Sequence, residues 1–429
     1  MAKPDEPDDD GGTGVAQRLG PGLITGAADD DPSGLATYSQ AGAQFGAGLL
    51  WTLVLTTPLM IGIQAISARI GWVTGEGLAA AMGRRLPPGL VLGLVGLLVL
   101  ANTLNIAADI AAMGEALQLV FGGPEHGHAL LVGALCAALP VRLGYEAMVR
   151  VLKWLTLALL AYVAVVLVLH VDWERVLVQT LVPHLRGGDG YWTMVVAVLG
   201  TTISPYLFFW QAAQEAEQRR RLRGRDTAIA QRPAFVREHL YRIKLDTVIG
   251  MTFSNVVAFC VMLATAITLH QHGITDIQTT RQAAEALRPI AGSFAFTLFA
   301  LGIVGTGMLA VPVLAGSAAY AVADVFRWRA GLDHTLAQAR GFYGVLIAAT
   351  VAGTLVDFTP LDPIRALVGS AIVNGVVAVP VMVAMMLLGG DARVLGAYTL
   401  STRHRVLGWT ATAVMAAAVG AMVASSLLG

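Results

Sequence analysis

The sequence predicts an all-α integral membrane protein in which two groups of five helices form an inverted repeat and an eleventh helix follows. Three observations predict this fold class: the composition, the distribution of Lys and Arg, and two interrupted apolar segments at corresponding positions. Of the 429 residues, 56% are hydrophobic and 13% are charged, and the mean hydropathy is +0.67. Apolar runs of about 20 residues, such as 151–169 and 251–269, are typical of membrane helices and lack the alternation of barrel strands.

The apolar runs place the membrane spans. We predict spans at residues 19–48, 50–68, 89–121, 129–141, 148–170, 191–213, 246–269, 291–325, 338–356, 364–388 and 405–427. The first five spans (about 19–170) and the next five (about 191–388) form the repeats, and the last one (about 405–427) is the extra helix. Residues 18–429 are predicted to form one transmembrane domain, and the polar, acidic residues 1–17 a disordered cytoplasmic tail.

The basic residues indicate the orientation of the chain. With the N-terminus in the cytoplasm, only five of the 28 Lys and Arg residues fall on the outer side, namely Arg175, Arg186, Arg281, Arg288 and Arg365. Cytoplasmic loops are enriched in Lys and Arg, so this distribution supports both the orientation and the span count. We therefore expect a multi-pass plasma-membrane protein with a cytoplasmic N-terminus and an external C-terminus.

The first predicted span is interrupted by charged residues. Asp29, Asp30 and Asp31 stand in the middle of its apolar run, followed by the helix breakers Pro32 and Gly34. In a bilayer, irregular backbone is tolerated only where it lines a protein cavity. Ionisable residues at this depth are costly and indicate a functional site.

The sixth predicted span contains a second interruption. Pro205 removes a backbone donor and breaks the helix beside Thr201, Thr202 and Ser204. The two breaks are five spans apart, as an inverted repeat of five helices requires. Each lies about 18–20 Å along its span, so both fall near the middle of a hydrocarbon core of about 30 Å. The alternative interpretation is that Pro205 merely kinks a helix whose Ser and Thr hydroxyls bond to the local backbone.

Together the breaks supply carboxylate, hydroxyl and freed carbonyl oxygens. An anionic site of oxygen ligands suits a hard divalent cation, Mg²⁺ or Ca²⁺, or the borderline Mn²⁺. We predict that Asp31 binds the ion and that Thr201 and Ser204 contribute oxygens or hold its water molecules. Asp30 and, in the tenth span, Asn374 are further candidates. The sequence does not decide which of the three consecutive acids faces the cavity.

Several motifs resemble one known family. Residues 20–24 (GPGLI), 31–37 (DPSGLAT) and 41–46 (AGAQFG) are similar to the first helix of the Nramp divalent-metal transporters, and the resemblance extends through the sixth span. It implies the leucine-transporter fold, and members of this family typically couple metal uptake to protons. It also implies a metal site made by the Asp and Asn of a D-P-G-N motif in helix 1, with a carbonyl and a Met from an A-x-x-M-P-H motif in helix 6.

Two positions depart from that family pattern. Asp31 matches the family's Asp and Thr201 its carbonyl donor, but Gly34 stands in place of the Asn and Ser204 in place of the Met. A Met thioether is a soft ligand that discriminates against Mg²⁺ and Ca²⁺. Without the Asn and the Met, the pocket is larger and has only oxygen ligands, which suits a Mg²⁺ ion that keeps several waters. The pattern is therefore similar to that of the Nramp-related magnesium-transporter branch.

The family's proton path is also altered. Tyr206 and Gln211 replace two helix 6 histidines, so the imidazoles that titrate near neutral pH are absent there. Asn102 stands where the resemblance implies an acid, whereas Asp109 matches a family acid. Asp109 and Glu115 are candidates for a proton relay, with snorkelling or pairing near the outer end of the span as the alternative. We predict weak or no proton coupling.

The expected function is import of divalent metal cations, mainly Mg²⁺ and also Mn²⁺, by alternating access, with no cofactor. The alternative is a proton-coupled Mn²⁺/Fe²⁺ transporter of the Nramp type. An amino-acid or other organic-substrate transporter is disfavoured because the three acids would repel a substrate carboxylate. A metal-dependent membrane enzyme is disfavoured because no HExxH motif, Walker motif or spaced nucleophile and base occurs. The sequence does not fix the oligomeric state, for which we expect a monomer in the lipid bilayer.

Other features have structural interpretations. Cys136 and Cys260 fall inside apolar segments and are interpreted as small core residues. The block Arg219–Arg225 is interpreted as part of a cytoplasmic loop rather than a nucleic-acid or lipid contact, so no nucleic-acid partner is expected. The histidine pairs 126/128 and 270/272 are placed in outer loops, and two histidines do not complete a metal site.

Overall fold

A computed structural model describes residues 25–26, 28–142, 157–183, 185, 190–225, 233–332, 334–359 and 362–428. The tail predicted for residues 1–17 lies outside these ranges, as do residues 148–156 of the fifth predicted span. Within the described ranges the elements are helices and no strand occurs. This confirms the all-α prediction.

The helices follow the order of two five-span repeats and one extra helix. They are α1 (Pro32–Phe45), α2 (Leu50–Thr74), α3 (Pro88–Phe121), α4 (Glu125–Arg142), α5 (Leu160–Val168), α6 (Tyr191–Thr202), α7 (Pro205–Arg225), α8 (Pro233–Thr268), α9 (Ala295–Phe326), α10 (Arg340–Val356), α11 (Pro363–Gly389) and α12 (Thr402–Leu428). Residues 28–29 are helical and precede the break before α1. Helices α6 and α7 are the two halves of the sixth span. Both predicted interruptions are therefore present.

Length and composition mark most of these helices as membrane spans. Seven segments of the described chain are long and apolar enough to cross a membrane, the first of which contains both α1 and α2. An eighth would join residues 157–168 to the short helix Trp173–Leu181 across a bend of 119°. Helix α10 is apolar but shorter. Every predicted span coincides with at least one helix, so the protein is a multi-pass membrane protein.

Two helices extend more than ten residues beyond the predicted spans. Helix α8 begins at Pro233 instead of residue 246, and α7 continues to Arg225 instead of ending at residue 213. The prediction that Arg219–Arg225 is a loop is therefore wrong, because this block forms the last turns of α7. Helix α8 has 36 residues and is about 54 Å long. Because the hydrocarbon core is only about 30 Å thick, the charged turns of α8 project out of the bilayer.

The broken spans lie at the centre of the helix bundle. Helix α1 packs against α8, α11 and α6, whereas α7 packs against α2 and α9. Helix α6 meets α11 at Gly200, where a Cβ would overlap the Ala371 carbonyl oxygen and the backbone of Gly375. Backbones approach this closely in membranes where small residues face each other. This contact holds the break of the sixth span against the tenth span.

Candidate metal-ion site

The first break ends in a helix cap. Asp31 has an extended backbone, and its Oδ1 accepts a 2.6 Å hydrogen bond from the Gly34 backbone N–H. Pro32 occupies the first turn of α1, where a missing N–H costs nothing. The acid and the proline thus begin α1 together, which leaves the Asp31 carboxylate at the positive end of a helix dipole.

A network of polar side chains holds the Asp31 carboxylate. Asn105 of α3 donates a 2.9 Å hydrogen bond from Nδ2 to Asp31 Oδ2. Ser370 of α11 donates a 2.6 Å bond to Asn105 Oδ1 and lies 3.0 Å from the hydroxyl of Ser33. All four side chains are buried. The Asp31 oxygens thus accept from the Gly34 N–H and from the Asn105 amide, and a carboxylate has further lone pairs that can face an ion.

The other two acids face a different helix. The hydroxyl of Ser254 in α8 lies 2.6 Å from Asp29 Oδ2 and 3.1 Å from Asp30 Oδ1. Asp29 and Asp30 are as deeply buried as Asp31. Only Asp31 carries the bond to Asn105, so the three consecutive carboxylates divide between α8 and α3. The structure therefore places Asp31 against α3 and Asp29 and Asp30 against α8, and the role of Asp31 and Asp30 as ion ligands stays a prediction.

The second break has hydroxyl groups bonded to its own backbone. Ser204 Oγ lies 2.7 Å from the Gly200 carbonyl oxygen and 2.9 Å from that of Thr201. Thr202 Oγ1 makes similar contacts with the carbonyls of Val198 and Leu199. These bonds agree with the alternative interpretation of the sequence, in which Pro205 merely kinks a helix whose Ser and Thr hydroxyls bond to the local backbone. The Ser204 hydroxyl proton is directed at the backbone, which leaves only its lone pairs for an ion or a water molecule.

The two breaks meet across Gly34. A Cβ placed on Gly34 would lie 3.0 Å from Thr201 Oγ1 and 3.2 Å from Asp31 Oδ1. Tyr206, at the start of α7, donates a 3.1 Å hydrogen bond to the carbonyl of Ala28 in the last turn before the first break. The structure therefore brings Asp31 and Thr201 to the same place. The C-terminal end of α6, with its partial negative charge, adjoins this place and favours a cation.

Asn374 lies next to the second break. It precedes Gly375, whose backbone contacts Gly200, and its side chain is 2% exposed. Within the described part of the chain, its Oδ1 has no hydrogen-bond partner. A buried oxygen acceptor without a donor fits a position near a cation or its water. The role of Asn374 stays a prediction.

The two candidates for a proton relay differ in their surroundings. Asp109 is fully buried one turn beyond Asn105 on the same face of α3, and among the described residues neither carboxylate oxygen has a hydrogen-bond partner. Glu115 instead accepts hydrogen bonds of 3.1 Å and 2.5 Å from the backbone N–H and hydroxyl of Thr280. Glu115 is thus hydrogen-bonded to Thr280, and a relay role for Asp109 or Glu115 stays a prediction.

Gln211 and Asn102, which stand where the resemblance implies a histidine and an acid, make hydrogen bonds to amide, hydroxyl and carbonyl groups. Gln211 accepts a 2.6 Å bond from Gln64 and donates one of 3.1 Å to Thr247. Asn102, on α3, bonds to the Leu314 carbonyl at 2.9 Å and to Ser317 at 2.7 Å. Asn102 thus holds α3 against α9 and does not touch Asp31.

The histidine pairs do not form metal sites. In the described ranges, no group of three or more His, Cys, Asp and Glu side chains is arranged to hold a metal ion. His126 and His128 lie in α4 and not in a loop, so that placement was wrong; His126 pairs with Asp357 at 2.8 Å. His270 bonds to the Ala43 carbonyl at 2.7 Å. Cys136 and Cys260 are buried and free, as expected for core residues.

Sequence reasoning missed Asn105, Ser254 and Ser370. A signal for Asn105 existed, because Asn102, Asn105 and Asp109 recur at three- and four-residue steps on one face of an apolar helix. Ser254 and Ser370 gave no comparable signal, since single serines are common in membrane helices and bond to their own backbone. Only the packing of α8 and α11 against α1 brings these two hydroxyls to the acids.

A bundle of membrane helices, with two spans broken over one buried polar site, defines the class of this protein as a secondary transporter of the leucine-transporter fold. The chain belongs to the Nramp family, because the family model described as "Natural resistance-associated macrophage protein-like" matches residues 22–425.

Curated relatives are transporters and not enzymes. One is the divalent metal cation transporter MntH of Klebsiella pneumoniae strain 342, which is 26% identical over 423 residues, 96% of this chain and 94% of the relative. Another is the divalent metal cation transporter MntH of Aeromonas hydrophila, which is 29% identical over 300 residues, 68% of this chain and 69% of the relative.

Solved structures share the fold. A crystal structure of the Eremococcus coleocola manganese transporter, in complex with an aromatic bis-isothiourea substituted compound, aligns with a TM-score of 0.70 and 18% identity. It covers 97% of this chain and 88% of the other. Mhp1, a nucleobase-cation-symport-1 family transporter, aligns with a TM-score of 0.57 and 12% identity over 95% of this chain and 93% of the other. At these identities the likeness shows the fold alone.

Proposed function

We propose that this protein is a secondary transporter that imports divalent metal cations by alternating access, with Mg²⁺ as its main substrate and Mn²⁺ as a second one. The observation that carries the proposal is the meeting of Asp31 and Thr201, one from each broken span, in a buried place with Gly34 between them. Membership of the Nramp family and the names of the relatives support divalent-metal transport.

The preference for Mg²⁺ is supported by the ligand chemistry. Asp31, Thr201 and Ser204 offer only oxygen atoms, whereas the resemblance puts a Met at the position of Ser204. The amide and hydroxyl groups around Asp31 are better suited to bind ordered water than to strip an ion of its hydration shell. Mg²⁺ dehydrates reluctantly and usually keeps several waters. A site with one acid and several polar groups is therefore suited to hydrated Mg²⁺.

Weak or absent proton coupling is the second part of the proposal. The supporting observation is that Tyr206 and Gln211 make neutral hydrogen bonds where the resemblance implies histidines. A proton-coupled Mn²⁺ transporter is the second candidate. The buried Asp109 favours it, since an acid on the same face as Asn105 could carry a proton. We further propose a monomer in the plasma membrane with its N-terminus in the cytoplasm, because the Lys and Arg residues lie mainly on that side.

Competition transport in liposomes tests the substrate. The purified protein is reconstituted, and uptake of Mg²⁺ is followed with a fluorescent indicator in the presence of increasing Mn²⁺ or Ca²⁺. We expect saturable Mg²⁺ uptake that Mn²⁺ inhibits. If Mn²⁺ is taken up and a large excess of Mg²⁺ leaves its uptake unchanged, the Mg²⁺ proposal is wrong and the second candidate stands.

A further inference from the structure

A second cavity lies away from the ion site, near the end of the bundle where basic residues concentrate. It encloses about 530 Å³ between α2, the first turns of α8, and the connection that leads into α12. This volume is in the usual range for sites that bind small molecules. None of the residues of the Asp31 site lines it. The cavity thus has no part in the function proposed above.

Basic side chains from three elements converge on this cavity. They are Arg69 of α2, Arg237 and Lys244 of α8, and His404 of α12, and no Asp or Glu is among the described residues that line it. Arg69 is oriented by a 2.9 Å hydrogen bond from its Nε to the Tyr398 carbonyl. Among the described residues no hydrogen bond occupies its terminal guanidinium nitrogens, and guanidinium groups bind phosphate in a forked geometry.

Glu238, the acid next to Arg237 on α8, does not line the cavity. Glu238 of α8 faces away and pairs with Arg242 at 3.6 Å on the exposed side of the helix. His404 is held by Ser401 through a 2.7 Å contact with its Nδ1. The described lining of the cavity thus carries the positive charges of Arg69, Arg237 and Lys244 and includes no Asp or Glu. An anionic ligand is the chemistry that complements it.

The cavity opens onto the lipid-facing surface. Tyr241, Leu245, Ile249 and Phe253 recur every four residues along α8 and are 46–66% exposed, which marks a stripe that faces lipid. Tyr241 also lines the cavity, so the stripe begins at its mouth. On α12, Val406 is exposed close to His404. A ligand with a negative head and apolar chains would fit both surfaces at once.

We propose that this cavity binds the phosphate headgroup of an anionic phospholipid, with the acyl chains lying along the exposed stripe of α8. Basic pockets between membrane helices on the cytoplasmic side bind such headgroups. Helix α2 belongs to the first repeat and α8 to the second. A lipid held here contacts both repeats and stabilises the arrangement in which the cavity exists.

The test uses the full chain purified in detergent. Phosphatidylglycerol or phosphatidylcholine is added, the midpoint of thermal unfolding is measured, and retained lipid is counted by native mass spectrometry. We expect phosphatidylglycerol to raise the midpoint and to be retained, with phosphatidylcholine as the neutral reference. The double variant Arg237→Gln/Lys244→Gln removes two exposed charges of the cavity and should weaken the apparent affinity for phosphatidylglycerol by about tenfold or more.

The matched control removes two charges outside the cavity. Arg242→Gln/Arg403→Gln removes one exposed charge from α8 and one from α12 and changes no lining residue, and we expect it to bind phosphatidylglycerol like the wild type. If both double variants lose the same affinity for phosphatidylglycerol, the lipid binds through general surface charge and the proposal is overturned. Displacement of the lipid by millimolar inorganic phosphate or glycerol phosphate would also overturn it, since the cavity would then be a site for soluble phosphates.

Discussion

Asn105 Nδ2 donates a 2.9 Å hydrogen bond to Asp31 Oδ2 and thereby ties the middle of α3 to the break in the first span. The 2.6 Å bond from Ser370 to Asn105 Oδ1 fixes the orientation of the amide. Three helices, α1, α3 and α11, are thus joined at one carboxylate. A buried carboxylate needs such donors, because in an apolar environment it lacks water to satisfy its oxygens.

Replacement of Asn105 tests whether this bond prepares the ion site. Asn105→Ala removes a donor to a buried charge, which costs about 1–3 kcal/mol. We expect the affinity for Mg²⁺, measured as the KM of uptake in liposomes, to weaken by about tenfold. Asn102→Ala is the matched control: its side chain bonds to α9 and not to Asp31, so stability should fall without a change in KM. Equal KM values in the two variants would show that Asn105 only supports the fold.

The charge of Asp31 is tested by an isosteric change. Asp31→Asn preserves the shape of the side chain and its acceptor for the Gly34 N–H but removes the negative charge. We expect uptake of both Mg²⁺ and Mn²⁺ to be lost while the protein still elutes at the volume of the folded wild type. Asp276→Asn, at an acid that bonds to Gln40 outside the site, should transport normally. Unchanged uptake in Asp31→Asn would exclude Asp31 as the ligand.

Ion preference is expected to depend on residue 204. Ser204→Met introduces a soft thioether and removes the hydroxyl that bonds to the Thr201 carbonyl. The thioether favours a softer, less hydrated ion, so the Mn²⁺ to Mg²⁺ affinity ratio should rise by about tenfold, the effect expected of one good ligand. Adding Gly34→Asn should raise it further, although the new Cβ must displace Thr201 Oγ1 by a few tenths of an ångström. Binding calorimetry gives both affinities.

The control for residue 204 separates the thioether from the lost hydroxyl. Ser204→Ala also frees the Thr201 carbonyl but supplies no sulfur ligand. We expect its Mn²⁺ to Mg²⁺ ratio to stay near that of the wild type. A ratio that rises equally in the Ala and Met variants would assign the selectivity to the carbonyl and contradict the role of a soft ligand.

Proton coupling has a direct readout. If metal import carries protons with it, the liposome lumen acidifies as the ion enters. We expect a pH-sensitive dye in the lumen to show no change during Mg²⁺ uptake, and Asp109→Asn to leave the rate of uptake unchanged. A proton-coupled homologue under the same gradient provides the positive control. Acidification of similar size would establish coupling, and its loss in Asp109→Asn would place the relay at that acid.

The contact between α6 and α11 has a consequence for stability. Gly200→Ala places a methyl group against the backbone of Ala371 and Gly375, which cannot move without shifting a helix. We expect a loss of about 2 kcal/mol or more, seen as a lower midpoint of thermal unfolding in detergent. The control is Gly369→Ala in α11, the partner helix of Gly200. A Cβ at Gly369 meets no atom within 4 Å, so this variant should be neutral or slightly stabilising. If the two variants unfold at the same temperature, the helices are not in contact at Gly200.

The sequence by itself determined the membrane class, the positions of the spans and both interruptions. Apolar periodicity needs no tertiary contact, and irregular, charged backbone at membrane depth is tolerated only where it lines a protein cavity, so the acids before Pro32 and the polar run before Pro205 could be interpreted directly. The ends of α7 and α8 were misplaced, because hydropathy records where the bilayer stops and not where a helix ends. The sequence also predicted that Asp31 and Thr201 lie at one site, because each of them stands at one of the two breaks.

Only the tertiary structure decided which acid faces which helix. Unwound backbone has no fixed period, so nothing in the order Asp29, Asp30, Asp31 separates the acid bound by Asn105 from those bound by Ser254. The hydroxyl of Ser204 likewise bonds to its own backbone. The local geometry sets this orientation, and residue type alone does not predict it. Hydrogen bonds between residues more than 70 positions apart, such as Asn105 to Asp31, exist only once the helices have packed.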